Sequence, residues 1–120
     1  MQEYSTPAEF EIAPGESCLT AMLDTVKARP HGVMFTRPAN FEWVNVTGAE
    51  FVEEVFEVAK GLIASGVEQG DRVALISATR YEWSLMDFAI WAAGAVSVPV
   101  YPSSSLSQMQ WIIEDSGAVL

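Results

Sequence analysis

The residue types that most often do chemistry are sparse in this 120-residue chain. It holds one histidine, His31, and one cysteine, Cys18. A metal site needs several converging ligands, and a reactive thiol needs a basic neighbour. His31 lies in a Pro-His-Gly stretch without a second histidine or a nearby cysteine, and only His31 could partner Cys18. We therefore interpret His31 as a solvated turn residue and Cys18 as a small helix residue.

Three acids, Glu53, Glu54 and Glu57, fall on one face of a predicted helix. Such a face could hold a metal ion or an acid/base pair. A charge run of this kind is more often a solvated surface, and we favour that interpretation.

Two segments lie where the loops of a parallel sheet often bind ligands. The first, Ser77 to Arg80, joins a predicted strand to a helix but has no glycine and no following lysine. Neither G-x-G-x-x-G nor G-x-x-x-x-G-K-[ST] occurs in the sequence. The second, Val98 to Ser105, ends in Ser103, Ser104 and Ser105, whose hydroxyls could contact a nucleotide or a thiol carrier. We favour a structural interpretation of both segments: the first is a plain connection from strand to helix, and the second is a loop that caps the next helix.

Aromatic side chains make one predicted helix apolar on almost every side. The helix contains Trp83, Phe88 and Trp91, with the aliphatic residues Leu85, Met86 and Ile90 between them. A helix of this kind is buried on most of its faces. Packing in a core is the favoured interpretation, and a groove for a fatty-acyl chain is the alternative.

Caps and periodicity predict the elements that carry these residues. The predicted helices run over about 17–29, 47–65, 80–93 and 105–116. The first begins at Ser17 and the last at Ser105 or Ser107. The second begins at Thr47, which has capping-box spacing to Glu50. Predicted strands cover 33–37 and 41–46, joined as a hairpin through 38–40, and then 72–77 and 95–100.

The order from Arg72 onward is strand, helix, strand, helix, strand. This alternation predicts a layered α/β fold with a parallel sheet and flanking helices, in addition to the short β-hairpin. Strand 72–77 is a continuous apolar run, which is typical of a strand buried on both faces. We predict a flexible arm over residues 1–16 and a partial N-terminal α/β subdomain over 17–120. Because Ala118 to Leu120 read as the start of a core strand, we expect the domain to be larger than this segment.

Charge and hydropathy exclude several partners. The net charge is −10 with only six Lys and Arg, so no basic cluster is present for nucleic acid and an anionic membrane is disfavoured. The most apolar run, residues 88–101, is interrupted by Gly94 and Pro99 and is shorter than the roughly 20 residues of a membrane span. The polar N-terminus does not resemble a signal peptide, and a single cysteine fits a reducing compartment. We predict a cytoplasmic location.

The segment Gly70-Asp71-Arg72-Val73-Ala74-Leu75-Ile76-Ser77 resembles the N-terminal region of AMP-forming adenylating enzymes. So do Arg80-Tyr81-Glu82-Trp83, Ala92 to Pro102, and Ile112 to Ala118. The segment Thr47-Gly48-Ala49-Glu50-Phe51, with the helix after it, is similar to the preceding part of the same family. The likeness covers about residues 19–120 and is greatest to bacterial long-chain fatty-acid–CoA ligases.

The resemblance implies an ATP-dependent ligase that makes an acyl-adenylate and then a coenzyme A thioester, with fatty acid, ATP and coenzyme A as substrates and Mg²⁺ on the phosphates. The family's phosphate loop, adenine motif, metal-binding glutamate and C-terminal lysine match no residue here. We therefore assign no catalytic, cofactor-binding or metal residue, and expect the chain alone to be inactive and to self-associate. The alternative is a free-standing, non-catalytic α/β binding or interaction module.

Overall fold

The computed structural model describes residues 4–7 and 9–120 and shows a mixed α/β chain with four helices. The helices are α1 (Cys18–Ala28), α2 (Gly48–Ala64), α3 (Tyr81–Ala92) and α4 (Leu106–Ser116). The strands are β1 (Val33–Ala39), β2 (Glu42–Thr47), β3 (Arg72–Ile76) and β4 (Val96–Val100). Of the predicted arm, residues 4–7 and 9–16 form neither helix nor strand, and residues 1–3 and 8 lie outside the described part.

Capping boxes begin three of the helices, at the positions that the sequence predicts. Ser17, Thr47 and Ser105 each accept a hydrogen bond from the backbone N–H three residues later, and that later side chain bonds back to the cap. Each box satisfies backbone donors that have no partner inside the helix. For α4, the structure selects Ser105 over Ser107.

The strands form two separate two-stranded sheets, of which one is the predicted hairpin and the other contains the predicted parallel pair. Strands β3 and β4 are parallel, with Arg72 opposite Val96 and Ile76 opposite Val100, and α3 makes the crossover between them. Strands β1 and β2 are antiparallel. The predicted hairpin turn at 38–40 is wrong by one to two residues, because Pro38 and Ala39 pair with Trp43 and Glu42 and the turn is Asn40–Phe41.

The hairpin turn places both of its residues in the left-handed region, with φ of 50° at Asn40 and 67° at Phe41. A two-residue turn of this kind matches the right-handed twist of the strands. Asparagine tolerates this conformation, but phenylalanine rarely adopts it. The sequence places Phe41 in a strand because phenylalanine is common in strands. This prediction is wrong, because Phe41 lies in the turn in a conformation that phenylalanine rarely adopts. Its side chain is fully exposed.

Two apolar clusters share the helices α2 and α3. One joins Val73 of β3 to Ala59, Leu62, Ala89 and Ile90. The other places Phe51 at 0% exposure among residues of α1, the hairpin and α3. Strand β3 is covered only on the face of Val73 and Leu75, whereas the sequence predicts cover on both faces; Ile76 is 47% exposed.

Residues 118–120 lie along the free edge of β3. The Val119 N–H donates to the Arg72 carbonyl over 2.9 Å, and the Ala74 N–H donates to the Leu120 carbonyl over 2.8 Å. These bonds agree with the predicted start of a third strand, although the segment is too short to form one. It lies on the side of β3 opposite β4.

Candidate functional site

A cavity of about 490 Å³ opens at the carboxyl ends of β3 and β4. Because the two strands are parallel and in register, Ile76 and Val100 bring the turn after β3 next to the loop after β4. Ligands of open α/β sheets bind at this end of the strands. The volume is within the range of small-molecule sites, about 300–1,000 Å³.

The walls of this cavity are apolar and its polar groups are hydroxyls. Trp83 of α3 and Tyr101 form aromatic walls, and Ser77, Thr79 and Ser103 supply hydroxyl groups. Among the described residues that line it, none is charged. The cavity can therefore hold an uncharged ligand segment by packing and hydrogen bonds, and it lacks the cations that grip phosphate.

The serines after β4 divide between two roles. Ser105 caps α4, accepting from the Gln108 N–H over 3.3 Å while its own N–H donates to Gln108 Oε1 over 2.9 Å. The Ser104 N–H closes a turn onto the Tyr101 carbonyl. Ser103 remains to line the cavity. The predicted loop is thus a helix cap at one end and a cavity wall at the other.

The turn after β3 provides no phosphate cradle. Arg80 precedes α3 without a side-chain cap and instead donates from Nε to Glu82 Oε2 over 2.6 Å. That hydrogen bond lowers the pKa of Glu82 to about 2 and raises the pKa of Arg80. Both side chains are well exposed, so water screens the pair and its contribution to stability is small.

A second cavity, of about 520 Å³, lies between the hairpin and the start of α3. Arg37 and Tyr81 line this cavity and form, with Glu54, a network that no local sequence pattern indicates. The Tyr81 hydroxyl donates to Glu54 Oε2 over 2.8 Å, and Arg37 lies 4.4 Å from the Tyr81 ring centroid and 3.4 Å from Glu54 Oε1. Burial, with the bond to Glu54, raises the pKa of the Tyr81 hydroxyl well above its ordinary value. Since these residues are 17 to 44 positions apart, no local spacing reveals them.

The three acids of α2 line one open cavity, whereas His31 and Cys18 lie outside it. His31 is exposed in the turn before β1, and Cys18 is exposed at the start of α1. Glu54 joins the Tyr81 network, whereas Glu57 pairs with Lys60 over 2.9 Å. Across residues 4–7 and 9–120, no group of three His, Cys, Asp or Glu side chains is placed to hold a metal ion.

The aromatic residues of α3 also separate. Phe88 packs in the core, with its ring centroid 5.7 Å from that of Phe51 and 5.0 Å from that of Trp91. Trp83 lines the cavity at the strand ends. The three rings therefore do not line one groove, and core packing accounts for Phe88. No helix in the described ranges is both long and apolar enough to cross a membrane.

Comparison with known proteins defines the family to which this chain and its fold belong. Residues 24–120 match the AMP-binding enzyme family. The crystal structure of the fatty acid AMP ligase from Legionella pneumophila superposes with a TM-score of 0.74, covering 84% of this chain and 18% of that one at 23% identity. The N-terminal subdomain of Klebsiella oxytoca NpsA superposes with a TM-score of 0.71, covering 84% of this chain and 26% of that one at 22% identity. The chain belongs to the AMP-binding enzyme family.

Similarity extends to named ligases. The long-chain-fatty-acid–CoA ligase FadD15 of Mycobacterium tuberculosis is 42% identical over 120 residues, which is all of this chain and 20% of that protein. The human mitochondrial medium-chain acyl-CoA ligase ACSF2 is 33% identical over 76 residues, 63% of this chain and 12% of that protein. The chain spans about a fifth of the length of the mycobacterial relative and matches its N-terminal region.

Proposed function

We propose that this chain is the N-terminal segment of an AMP-forming long-chain fatty-acid–CoA ligase. The observation that carries the proposal is the 42% identity to the mycobacterial ligase over all 120 residues. In the reaction, a fatty-acid carboxylate attacks the α-phosphate of ATP and pyrophosphate leaves. The thiol of coenzyme A then attacks the acyl carbonyl and AMP leaves. ATP and coenzyme A as co-substrates favour a cytoplasmic location.

The residues of this segment do not fit Mg²⁺ or a triphosphate. The cavity at the strand ends is uncharged, and the described residues supply no cluster of metal ligands. Phosphoryl transfer depends on charge held at the transferring group. We therefore assign the phosphate and metal contacts to none of these residues, and propose that the segment alone is inactive.

We further propose that the cavity contacts coenzyme A along its uncharged pantetheine arm. The arm offers amides and methylenes, which suit hydroxyls at Ser77, Thr79 and Ser103 between the aromatic walls of Trp83 and Tyr101. The phosphates of coenzyme A need cations, which these lining residues lack. The segment would thus serve the second half-reaction more than the first.

A chimera tests the proposed function. The matching N-terminal segment of the mycobacterial ligase is replaced by this chain, and palmitoyl-CoA and AMP formation are measured against the unmodified ligase. We expect activity within roughly tenfold of that ligase, because the fold is the same and the remaining machinery is intact. The 120-residue chain, assayed alone with ATP, Mg²⁺, palmitate and coenzyme A, should release no pyrophosphate above a no-protein blank.

A chimera that is folded by circular dichroism but forms neither acyl-adenylate nor acyl-CoA would contradict the proposal and favour a non-catalytic binding module. Pyrophosphate release by the isolated chain would contradict the assignment of the phosphate contacts elsewhere.

A further inference from the structure

Helix α4 is held to the rest of the chain with little apolar burial. None of its residues is fully buried, and neither apolar cluster includes one of them. Leu106 is 82% exposed and Trp111 is 64% exposed. A helix of 11 residues that buries so little is not stable by itself in water, so other contacts must hold it.

Polar contacts supply that attachment: residues 118–120, just after α4, bond to the backbone of β3, and the side chain of Arg72 in β3 bonds to the end of the helix. Its Nε donates to the Ser116 carbonyl over 2.9 Å, and its Nη2 donates to the Gly117 carbonyl over 3.0 Å. Its Nη1 donates to the Gly70 carbonyl over 3.2 Å. The guanidinium thus joins the turn before β3 to the end of α4. A cation at this end also interacts favourably with the helix dipole.

The geometry at Gly117 adapts the helix end to this contact. Gly117 has φ of +62°, and its N–H and that of Ala118 bond back to the Glu114 and Ile113 carbonyls. The last carbonyls of the helix then turn toward Arg72. A Cβ at position 117 would lie 3.1 Å from Arg72 Nη2, so a side chain there would press against the guanidinium.

We propose that Arg72 is a positioning residue, which fixes α4 and thereby the loop 101–105 that forms one wall of the cavity. The loop ends at Ser105, the N-cap of α4, so a helix fixed at its C-terminal end also fixes the loop at its other end. The contact of this loop with coenzyme A rests on the proposed function. The attachment of α4 does not.

Lysine cannot replace arginine in this role. Nε and Nη2 lie on one edge of a planar group and reach two successive carbonyls together. An ammonium group is a single point of charge on a flexible stem, and it can hold one carbonyl but not both in this fork geometry. Arg72→Lys should therefore restore the attachment only in part.

Hydrogen–deuterium exchange on the 120-residue chain, at a concentration below that of self-association, tests the attachment. In Arg72→Met we expect exchange in residues 106–120 to rise roughly tenfold or more, because hydrogen bonds from a charged donor are lost, while exchange in α2 stays unchanged. Arg72→Lys should lie between, and Gly117→Ala should give the same local pattern while keeping the arginine. Arg29→Met, at an exposed arginine at the end of α1, is the matched control.

Unchanged exchange in 106–120, or equal increases throughout the chain, would each overturn the attachment by Arg72, and wild-type exchange in Arg72→Lys would overturn the requirement for its fork geometry. In the active chimera, Arg72→Met should raise KM for coenzyme A several-fold and leave ATP–pyrophosphate exchange unchanged. If exchange in 106–120 rises but KM for coenzyme A does not, the link to the loop is wrong. A chimera inactive with Arg72 in place contradicts the proposed function alone.

Discussion

At the residue scale, Tyr81 connects three elements through its ring and its hydroxyl. The ring packs against Phe35 and Phe51, and the hydroxyl donates to Glu54 beside Arg37. Tyr81 is buried at 8% exposure, whereas Glu54 and Arg37 are about one-third exposed. The hairpin, α2 and α3 therefore meet at one partly hydrated polar network.

Tyr81→Phe should lower the free energy of unfolding by about 1 kcal/mol, because a hydrogen bond to a partly exposed carboxylate is lost while the ring remains. Tyr101→Phe, at an exposed tyrosine, should change it by less than about 0.5 kcal/mol. Urea denaturation measures both. Equal effects of the two substitutions would show that the bond to Glu54 contributes nothing.

Acid should weaken the start of α2. The Thr47 backbone N–H and side-chain hydroxyl donate to Glu50, and these bonds lower the pKa of Glu50 below its ordinary 4.5. The charged carboxylate thus stabilises the fold above pH 4.5, and this contribution is lost as the pH falls below 4.5 and through the lowered folded value.

The test compares the wild-type chain with Glu50→Gln in urea at pH 6 and at pH 3. Wild type should be the more stable at pH 6, and the difference should shrink at pH 3 as the carboxylate of Glu50 becomes protonated. A difference of the same size at pH 3 and at pH 6 would mean that the charge of Glu50 is not its cause.

At the element scale, two glycines of α2 have opposite surroundings. A Cβ at Gly48 would meet Val26 of α1 at 2.9 and 3.2 Å, whereas a Cβ at Gly61 would have nothing within 4 Å. Close approach of α1 to α2 therefore requires the first glycine, and no contact requires the second.

Gly61→Ala should raise the free energy of unfolding by about 0.5–1 kcal/mol, because alanine loses less backbone entropy in a helix. Gly48→Ala should lower it despite the same propensity, and Val26→Ala in the same chain should reduce that penalty. Thermal or urea denaturation distinguishes them. Stabilisation by both alanines would contradict the close packing of α1 on α2.

The elements themselves are largely predictable, because their signals are local. Ser17, Thr47 and Ser105 each have their capping partner three residues later, and apolar runs separated by a helix-length connector predict the parallel pairing of β3 and β4. The turn at Phe41 is not predictable from residue type, since phenylalanine disfavours its conformation. The bonds of Arg72 to residues 44 and 45 positions away carry no local signal either. The position of the cavity follows from the parallel sheet, but its lining by Trp83 does not.

At the scale of the whole molecule, apolar surface remains open on the sheet and on α4. Ile76 and Val96 are about half exposed, and Trp111 is 64% exposed. The radius of gyration is 17.1 Å, against about 14 Å for a compact domain of this length. These side chains are available to pack against further polypeptide or against another copy.

We predict that the isolated chain self-associates at tens of micromolar. Each exposed medium apolar side chain forgoes roughly 1.5–3 kcal/mol of burial, whereas repulsion from the charge of −10 is screened beyond about 8–10 Å at ordinary salt. Light scattering after size exclusion should show dimers or larger species that increase with salt. Trp111→Gln should weaken association and Lys27→Gln should not. A monomer stable for days would contradict the prediction.

The two apolar clusters that share α3 also affect when the chain can fold during its synthesis. Ala92 packs against both clusters, and each cluster takes buried residues from α3. As the chain leaves the ribosome, α1, the hairpin and α2 emerge first, yet neither core can close before α3 arrives. At about 5–20 residues per second, that wait is roughly one to six seconds. During this interval Phe51 and Val55 lack their partners from α3, and the arrival of that one helix then brings both cores buried residues that they need.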